Sequence, residues 1–376
     1  MSGIYIHIPF CSKACHYCDF HFSTALKMKE ELIDSMVKEI HLRKNDFQKK
    51  FNSLYFGGGT PSLLTEKELE KILNALSNYV SIESMSEITI EINPEDVEIQ
   101  KLKSYKKLGI NRLSIGVQSL DDKFLKWMNR GHTKSQIVKS INLINEMNFD
   151  NYSLDFIYGL PTNLKRNYKK EMEELIKFNP NHISCYHLTI ESGTYFGSLK
   201  AKNKWKGIKD QKSEEEFLWI SERLKANNYH HYEVSNFSKV NQKAYHNSNY
   251  WEQKPYVGIG PSAHSFENKT RRWNIANNKK YISRINSKSA YSSSEKLSNI
   301  DLFNEKIMLG LRTEKGFNLE ELMQNIDKKE KKIFKDKLQT FFNDGLLVQS
   351  KNRIKIPENK WLLSDYVSRE FFILKE

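Results

Sequence analysis

Three cysteines, Cys11, Cys15 and Cys18, stand within eight residues near the start of the chain. Thiolates are soft ligands that suit iron–sulfur clusters, and a cubane normally takes four of them. Three neighbouring thiolates would leave one iron of such a cluster without a protein ligand. An open coordination position is where a metal centre binds its substrate. The spacing therefore favours a reactive 4Fe–4S cluster over a structural one.

The same cysteines admit other interpretations. Together with His16 or His21 they could bind zinc, although zinc ribbons usually show two separated pairs rather than one triplet. A disulfide would suit a secreted chain, but the chain enters an apolar strand at once and we expect no leader segment. Three cysteines in one loop could also be accidental. The fourth cysteine, Cys185, lies in an apolar stretch, and we expect it to be a small buried hydrophobe.

The composition is that of an ordinary globular protein, with 39% hydrophobic and 12% aromatic residues in a chain of 376. This length accommodates one large domain and one smaller domain, each with its own core. No apolar run is long enough to cross a bilayer, and the sparing use of cysteine favours a cytoplasmic location.

The formal net charge of +13 raises the question of an anionic partner. The lysines are spread along the chain and mixed with acidic residues, as in Lys328–Lys337. No arginine-rich stripe accompanies them. We therefore expect a solvated, lysine-rich surface and no nucleic-acid partner, while peripheral contact with an anionic membrane stays open.

Short β-rich segments alternate with amphipathic helical ones through the first two-thirds of the chain. Capping boxes at Thr65 and Thr133 precede two of the helical patterns. This alternation predicts βα units and a parallel sheet. Six units predict an α/β fold, a partial (β/α)6 TIM-like barrel that stays open. The predicted strands are Gly3–Ile8, Ser53–Phe56, Glu87–Ile92, Arg112–Val117, Tyr152–Ile157 and His182–Leu188.

The last part of the chain has a different pattern. Two helices are predicted at Asp301–Leu311 and Asn318–Asn343, and two short strands follow them. Helices followed by a β-hairpin indicate a small C-terminal winged-helix-like α+β domain, and such a fold does not by itself establish a function. We expect a barrel domain at 1–267, a polar linker at 268–300 and the small domain at 301–376.

Polar and glycine-rich motifs follow the predicted strands, which is where parallel barrels carry their working groups. The cysteine loop follows the first strand, and the run Gly57–Ser62 follows the second. Glu91 and Asn93 end the third strand. The fourth strand runs into Gly116–Ser119, and the fifth carries Asp155. Each motif alone is a weak signal, but their common position relative to the strands predicts one site.

Shape and charge suggest what this site binds. Glycines let the backbone approach a ligand closely. Glu91 and Asp155 can accept hydrogen bonds from ribose hydroxyls or from an amino group, and Arg130 can hold a carboxylate. These groups fit a zwitterionic amino acid joined to a nucleoside, a description that S-adenosylmethionine meets.

The cysteine spacing, the Gly-Gly-Gly-Thr-Pro segment and the Gly-Val-Gln-Ser segment resemble the radical S-adenosylmethionine (SAM) superfamily. The resemblance is closest to the branch that contains oxygen-independent coproporphyrinogen III dehydrogenase and the haem chaperones, and it covers nearly the whole chain. It implies that Cys11, Cys15 and Cys18 hold the cluster, whose free iron binds SAM. Tyr186 and His264 are further candidate contacts. The cofactor-binding residues that the resemblance implies are Tyr5, Tyr17, Gly58, Gly59, Thr60, Glu91, Gln118, Arg130 and Asp155.

Two positions separate the branches of this family. The dehydrogenase has another cysteine two positions after the third cluster ligand, where this chain has Phe20. The segment from His246 to Trp251 matches the His-Asn-x-x-Tyr-Trp element of the haem chaperones. Histidine is a common ligand of haem iron, so His246 is the predicted haem ligand and His264 is a rival. Without the resemblance, His246 would be read as a hydrogen-bonded residue near a turn.

The leading hypothesis is a cytoplasmic radical SAM protein that binds haem and delivers it to haem-requiring proteins, with a reductant protein for its cluster. Whether it cleaves SAM stays open. The enzyme alternative is oxidative decarboxylation of coproporphyrinogen III, against which Phe20 argues. A zinc-stabilised nucleic-acid-binding protein that uses the C-terminal domain is the third hypothesis.

Overall fold

A computed structural model describes residues 2–205, 207–324 and 326–374. Fifteen strands and fourteen α-helices occur in these ranges. The strands are β1 (Ser2–Ile8), β2 (Phe51–Gly58), β3 (Glu87–Ile92), β4 (Arg112–Gln118), β5 (Tyr152–Tyr158), β6 (His182–His187), β7 (His230–Glu233), β8 (Asn236–Ser238), β9 (Tyr256–Ile259), β10 (His264–Glu267), β11 (Thr270–Asn274), β12 (Ser292–Lys296), β13 (Phe317–Asn318), β14 (Val348–Ser350) and β15 (Arg353–Lys355).

Helices follow most of the early strands, as the sequence pattern predicts. The capping boxes at Thr65 and Thr133 are both formed, and each begins a helix at the following residue. The helices are α1 (Lys29–Leu42), α2 (Glu66–Ser77), α3 (Ile99–Lys107), α4 (Asp122–Trp127), α5 (Lys134–Glu146), α6 (Tyr168–Lys177), α7 (Tyr195–Ala201), α8 (Asp210–Ala226), α9 (Tyr245–Trp251), α10 (Asn278–Asn286), α11 (Asn299–Gly310), α12 (Leu319–Met323), α13 (Lys328–Asn343) and α14 (Ser364–Glu370).

The large sheet confirms the partial barrel. Its strand order is β12-β11-β10-β9-β1-β2-β3-β4-β5-β6-β8-β7, and β1 to β6 are parallel neighbours in chain order. The six predicted strands are all present, with ends that differ from the prediction by at most two residues. A further parallel strand, β9, pairs with β1, and β8 pairs antiparallel with β6. The short strand β9 has no apolar run long enough to be recognised in the sequence.

Side chains alternate along the barrel strands between two environments. In β1, Ile4, Ile6 and Ile8 are fully buried apolar residues, whereas Tyr5 and His7 between them carry polar atoms. Period-two alternation sends these two sets to opposite faces of the strand. The apolar set packs under the helices, and the polar set points into the barrel. The barrel interior is therefore a polar compartment whose rim lies at the carboxyl ends of β1 to β6.

Residues 268–300 form part of the large sheet rather than a linker. Strand β11 pairs with β10 and β12 pairs with β11, both antiparallel, and α10 packs against α1. The polar composition of this segment has a structural reason. Four of the five residues of β12 are exposed, because β12 is the edge strand of the sheet.

The C-terminal residues fold as helices followed by a hairpin. Strands β14 and β15 form the predicted hairpin, and β13 adds a third antiparallel strand beside β15. The single helix predicted at 318–343 is two helices, α12 and α13. Asp327 caps α13 in a reciprocal capping box with Glu330, which requires an extended residue where the prediction had continuous helix.

A buried acid, Glu39 of α1, ties the antiparallel edge of the sheet to the barrel. It accepts hydrogen bonds from Arg43 (3.2 Å) and Tyr281 (2.5 Å), from Asn274 (2.7 Å) and from the amide of Gly260 (2.8 Å). Arg43 also donates to a carbonyl of β9 (2.6 Å). Helix α1, the turn after β9, the end of β11 and helix α10 therefore share one buried ion-pair network. None of the helices in the described ranges is long and apolar enough to cross a bilayer.

The Glu39→Ala substitution should lower the free energy of unfolding by about 3–5 kcal/mol, because it leaves the buried Arg43 without its main counter-charge. Urea denaturation measures the change. Glu31→Ala, an exposed acid on the same helix, is the matched control and should shift stability by no more than about 0.5 kcal/mol. Equal denaturation midpoints for Glu39→Ala and wild type would contradict the role of this network.

Candidate metal and cofactor site

A cavity of about 480 Å³ opens at the rim of the barrel. The loops after the parallel strands form its wall, which is where the sequence places the site. Among the residues predicted from sequence, it is lined by Cys11, Cys15, Cys18, Tyr17, Gly58, Gly59, Thr60, Glu91, Gln118, Arg130 and Asp155. Tyr186 also lines the cavity, whereas Tyr5, His246 and His264 do not.

The two histidines nearest the cysteines are engaged elsewhere. His16 contacts the carbonyl of Trp127 through Nδ1 (2.8 Å), and its ring packs on Tyr195 with centroids 4.2 Å apart. His21 contacts Asn278 Oδ1 through Nε2 (2.7 Å). In the described part of the chain, no three His, Cys, Asp or Glu side chains are grouped to hold a single metal ion. His16 and His21 both have other partners, which does not favour a zinc site built from the cysteines with either histidine.

The cysteine side chains lie in a poorly hydrated environment. Burial, with a smaller contribution from the neighbouring Cys15 side chain, raises the pKa of Cys11 to about 11 and that of Cys18 to about 12. The thiols are therefore protonated at neutral pH in the cofactor-free chain. A positively charged iron centre would favour the thiolate form, so metal binding here releases protons.

Arg130 joins the cysteine loop to the ends of two strands. Its Nη1 group approaches Cys15 Sγ (3.3 Å) and the hydroxyl of Tyr17 (3.4 Å). Its Nη2 group donates to Asn93 Oδ1 (2.6 Å) and to the carbonyl of Gly116 (2.8 Å). The guanidinium thereby fixes the loop after β1 against the ends of β3 and β4, and it places a positive charge beside the cysteines.

Gly58 and Gly59 let two chain segments meet at the rim. Gly58 has a φ of +112°, and a Cβ on Gly59 would lie 2.6 Å from the carbonyl oxygen of Phe10. The amide of Gly58 donates to Glu91 (3.1 Å). From the sequence, these glycines are predicted to form a cradle for a ligand. In the structure they also allow the loops after β1 and β2 to pack closely, and both of their amides are used inside the protein, that of Gly59 by the carbonyl of Ile8 (2.9 Å).

Two half-buried carboxyl groups, Glu91 and Asp155, face the cavity from β3 and β5. Glu91 accepts hydrogen bonds from the Tyr55 hydroxyl (2.9 Å) and from Gly58, and Asp155 contacts Ser114 (3.4 Å). Burial raises the pKa of both groups, and repulsion from Asp155 helps to bring that of Glu91 to about 7. Two carboxyl groups held close together in a dry cavity favour a cationic ligand group beside them.

Unpartnered polar atoms provide a test of the fit to SAM. Arg130 Nε and Asp155 Oδ1 are buried and have no hydrogen-bond partner among the described residues. Such atoms in a cavity wall normally meet a ligand or water. One is a cationic donor and the other an anionic acceptor. A ligand that carries both a carboxylate and cationic groups matches them, and SAM is such a ligand.

Gln118 adopts an unusual backbone conformation at the end of β4. Its φ is +66°, and the pairing with β5 shifts register between Ile115 and Gln118. A non-glycine residue in the left-handed region marks local strain, and a bulge at a strand end re-aims a side chain. Here the bulge directs Gln118 into the cavity.

His246 lies inside the barrel, away from both the rim and the surface. Its Nδ1 contacts Ser53 Oγ (2.9 Å) and its Nε2 contacts the Tyr250 hydroxyl (2.9 Å). Its ring stacks on Tyr55 with centroids 5.1 Å apart, and burial lowers its pKa to about 3. Both ring nitrogens are therefore used within the protein, which does not favour His246 as a haem ligand in this conformation. Tyr5 lies beside it and lines a second cavity.

Several residues at the site have no role that is predicted from the sequence. Asn93 holds Arg130, and Glu95 lines the cavity while contacting the buried His132 (2.8 Å). The position of Asn93 directly after β3 is a feature of the sequence that could have identified it as a site residue. Glu95 and His132 belong to different elements, so no local pattern joins them.

Comparisons with known proteins agree with this geometry. The sequence profile of the Radical SAM superfamily matches residues 5–178, and that of the HemN C-terminal domain matches residues 297–363. Heme chaperone HemW of Bacillus subtilis is 30% identical over 99% of this chain and 99% of its own length. Heme chaperone HemW of Escherichia coli is 34% identical over 70% of this chain and 69% of its own.

A solved structure shares the architecture. Coproporphyrinogen III oxidase (HemN) from Escherichia coli, described as a radical SAM enzyme, superimposes with a TM-score of 0.83. The match covers 98% of this chain and 89% of the other at 20% identity. This likeness establishes the fold alone.

The barrel and the cysteine loop define a radical SAM protein. More particularly, the chain belongs to the family of haem chaperones named HemW. Membership of the superfamily implies a 4Fe–4S cluster and SAM as cofactors, and the donor set at the rim fits both.

The Glu91 carboxyl should make the cofactor-free protein sensitive to pH. Its pKa is raised from 4.5 to about 7 in the folded state, so its contribution to stability is full below about pH 4.5 and is lost as the pH rises to about 7. The loss corresponds to about 3 kcal/mol. Urea denaturation at about pH 5 and about pH 8 should therefore show a smaller difference for Glu91→Gln than for wild type.

Glu83→Gln, an exposed acid in the turn before β3, is the control and should keep the wild-type pH difference. An unchanged pH difference in Glu91→Gln would show that this carboxyl ionises at its ordinary pKa.

Proposed function

We propose that this chain binds haem and delivers it to haem-requiring proteins, and that a 4Fe–4S cluster and SAM occupy its rim cavity. The observation that carries the proposal is the end-to-end similarity to a protein named heme chaperone HemW. The arrangement of the rim supports it, because the three cysteines, Arg130 and the two carboxyl groups line one cavity.

The proposal assigns a role to each residue of the rim. Cys11, Cys15 and Cys18 hold the cluster. Arg130 binds the carboxylate of SAM, and Glu91 and Asp155 bind its cationic and hydroxyl groups. When bound, the cluster can supply an electron to the sulfonium of SAM. The remaining proposed contacts are Tyr17, Gly58, Gly59, Thr60 and Gln118, which all line the same cavity.

Replacing any one of the three loop cysteines by alanine should abolish stable cluster binding, because a cubane then has too few thiolate ligands. Anaerobic reconstitution followed by iron and sulfide analysis measures this. Cys185→Ala is the matched control and should retain the cluster, since Cys185 is buried in β6 and lies outside the rim cavity. Wild-type protein that takes up zinc and no sulfide would contradict the cluster.

The dehydrogenase is the second candidate function, because the cysteine and glycine motifs of this chain resemble the branch that contains it. The position after the cluster ligands argues against it. Phe20 stands where the dehydrogenase has a cysteine, and its side chain is 65% exposed at the mouth of the cavity. An exposed aromatic side chain has no thiol to offer and suits contact with an apolar ligand or partner.

Titration of haem into the reconstituted protein should give saturable binding with a shifted Soret band. The same preparation, given coproporphyrinogen III with SAM and a reductant, should yield no protoporphyrinogen IX. Sustained formation of protoporphyrinogen IX would replace the chaperone function by the dehydrogenase function. Absence of saturable haem binding would remove the carrier proposal.

We also propose a cellular location and partners for this protein. A cytoplasmic site of action suits a protein that keeps its described cysteines unpaired for a cluster. Its partners would be haem-accepting proteins and a reductant protein, and the basic surface leaves peripheral membrane contact open. We also propose residues 301–376 as a separate small domain, which the profile match at 297–363 supports.

A further inference from the structure

A second cavity of about 320 Å³ lies beside the rim cavity, and we call it the histidine cleft. Its wall includes Phe20, Tyr250, Tyr256 and His264. Phe20 and the adjacent Asp19 also line the rim cavity, so the two cavities share a wall. The cleft is thus an aromatic, histidine-containing space next to the proposed cofactor site, and no step of the proposed cofactor binding uses it.

Three histidines line this cleft, and only His264 presents an uncommitted ring. His7 contacts the Tyr5 hydroxyl (3.1 Å) and the carbonyl of His21 (2.8 Å), and His21 contacts Asn278. His264 is exposed and receives no hydrogen bond from any residue that the structure describes. Its ring stacks near Trp273, with centroids 6.3 Å apart. A free imidazole beside aromatic side chains can serve as an axial ligand of haem iron.

His246 reaches the same cleft through another residue. Its Nε2 contacts the hydroxyl of Tyr250, and the ring of Tyr250 packs edge-on against Tyr256 with centroids 4.7 Å apart. Both tyrosines belong to the cleft wall. His246 therefore fixes the wall from behind, while its own ring is buried and has both nitrogens occupied.

We propose that haem binds in the histidine cleft with His264 as its iron ligand, and that His246 is a positioning residue that holds Tyr250 against the porphyrin. This inference rests on the proposed haem-carrier function. It differs from the sequence prediction, which placed the ligand at His246.

The charge state of His264 suits this role. Although the side chain is exposed, partial loss of solvent around the ring and the nearby Arg271 lower its pKa, so the ring is neutral near physiological pH. Neutral imidazole is the form that binds iron. The cleft of about 320 Å³ is at the lower end of ligand cavities, which span about 300–1,000 Å³, and it is too small to enclose a whole porphyrin. A haem held here would keep an exposed edge for transfer to a recipient.

The test compares haem binding by the full chain and its variants with two measurements, affinity and the axial-ligand spectrum. His264→Ala should bind haem about 10-fold or more weakly and lose the histidine-ligated absorption and electron paramagnetic resonance spectrum. Added imidazole should restore that spectrum, because it can occupy the vacated ligand position. His246→Ala should also bind more weakly, but the haem that binds should keep the histidine-ligated spectrum. His41→Ala, an exposed histidine on α1, is the control and should match wild type.

The outcomes separate the two proposals. If wild type binds no haem, the carrier function itself fails. If wild type binds haem and His264→Ala keeps both affinity and spectrum, the assignment of His264 is wrong while the carrier function stands. If imidazole instead restores the spectrum of His246→Ala, the ligand is His246. Equal cluster content in all variants confirms that each one has folded.

Discussion

One partly buried guanidinium holds the site together. Arg130 contacts the cysteine loop through Cys15 and Tyr17, and it donates to the ends of β3 and β4. A cation withdrawn from water is costly unless polar groups surround it, and these contacts supply such groups. The loop after β1, which carries the cysteines, is thereby fixed relative to the carboxyl groups on β3 and β5. The relative position of cluster and cofactor depends on this constraint.

The two ends of the barrel interior differ in role: one end is structural and the other carries the candidate site. At the amino ends of the strands, helix α9 closes the interior, and Glu87 of β3 accepts the amides of Tyr245 (2.7 Å) and His246 (3.1 Å) at the start of that helix. A carboxylate at a helix start satisfies amides that have no partner within the helix. His246 fills the space above it and contacts Ser53. The closed end supports the structure, and the open rim keeps unpartnered polar groups for ligands.

The strands β9 and β10, at the antiparallel edge of the large sheet, form part of the wall of the histidine cleft. Strand β10 carries His264, and the network around Glu39 fixes the turn after β9 that precedes it. The edge therefore positions the histidine cleft beside the cysteine loop, and Asp19 and Phe20 form the common wall. Because the rim cavity and the histidine cleft are separate cavities, the proposed cofactor and the proposed haem would not compete for one space. This arrangement suits a family of haem chaperones built on an enzyme fold.

The sequence by itself determined the six parallel strands, the cysteine loop and the residues of the rim. These follow from local rules, because side chains alternate along a strand and the carboxyl ends of parallel strands share one rim. Only the tertiary structure decided the course of residues 268–300 and the roles of the histidines. Neither the segment around His246 nor the segment around His264 shows from sequence which histidine is buried. Their exposure depends on distant partners such as Ser53, 193 residues before His246, and no local pattern encodes such a contact. Packing buries one imidazole with both nitrogens occupied and leaves the other free at a cavity.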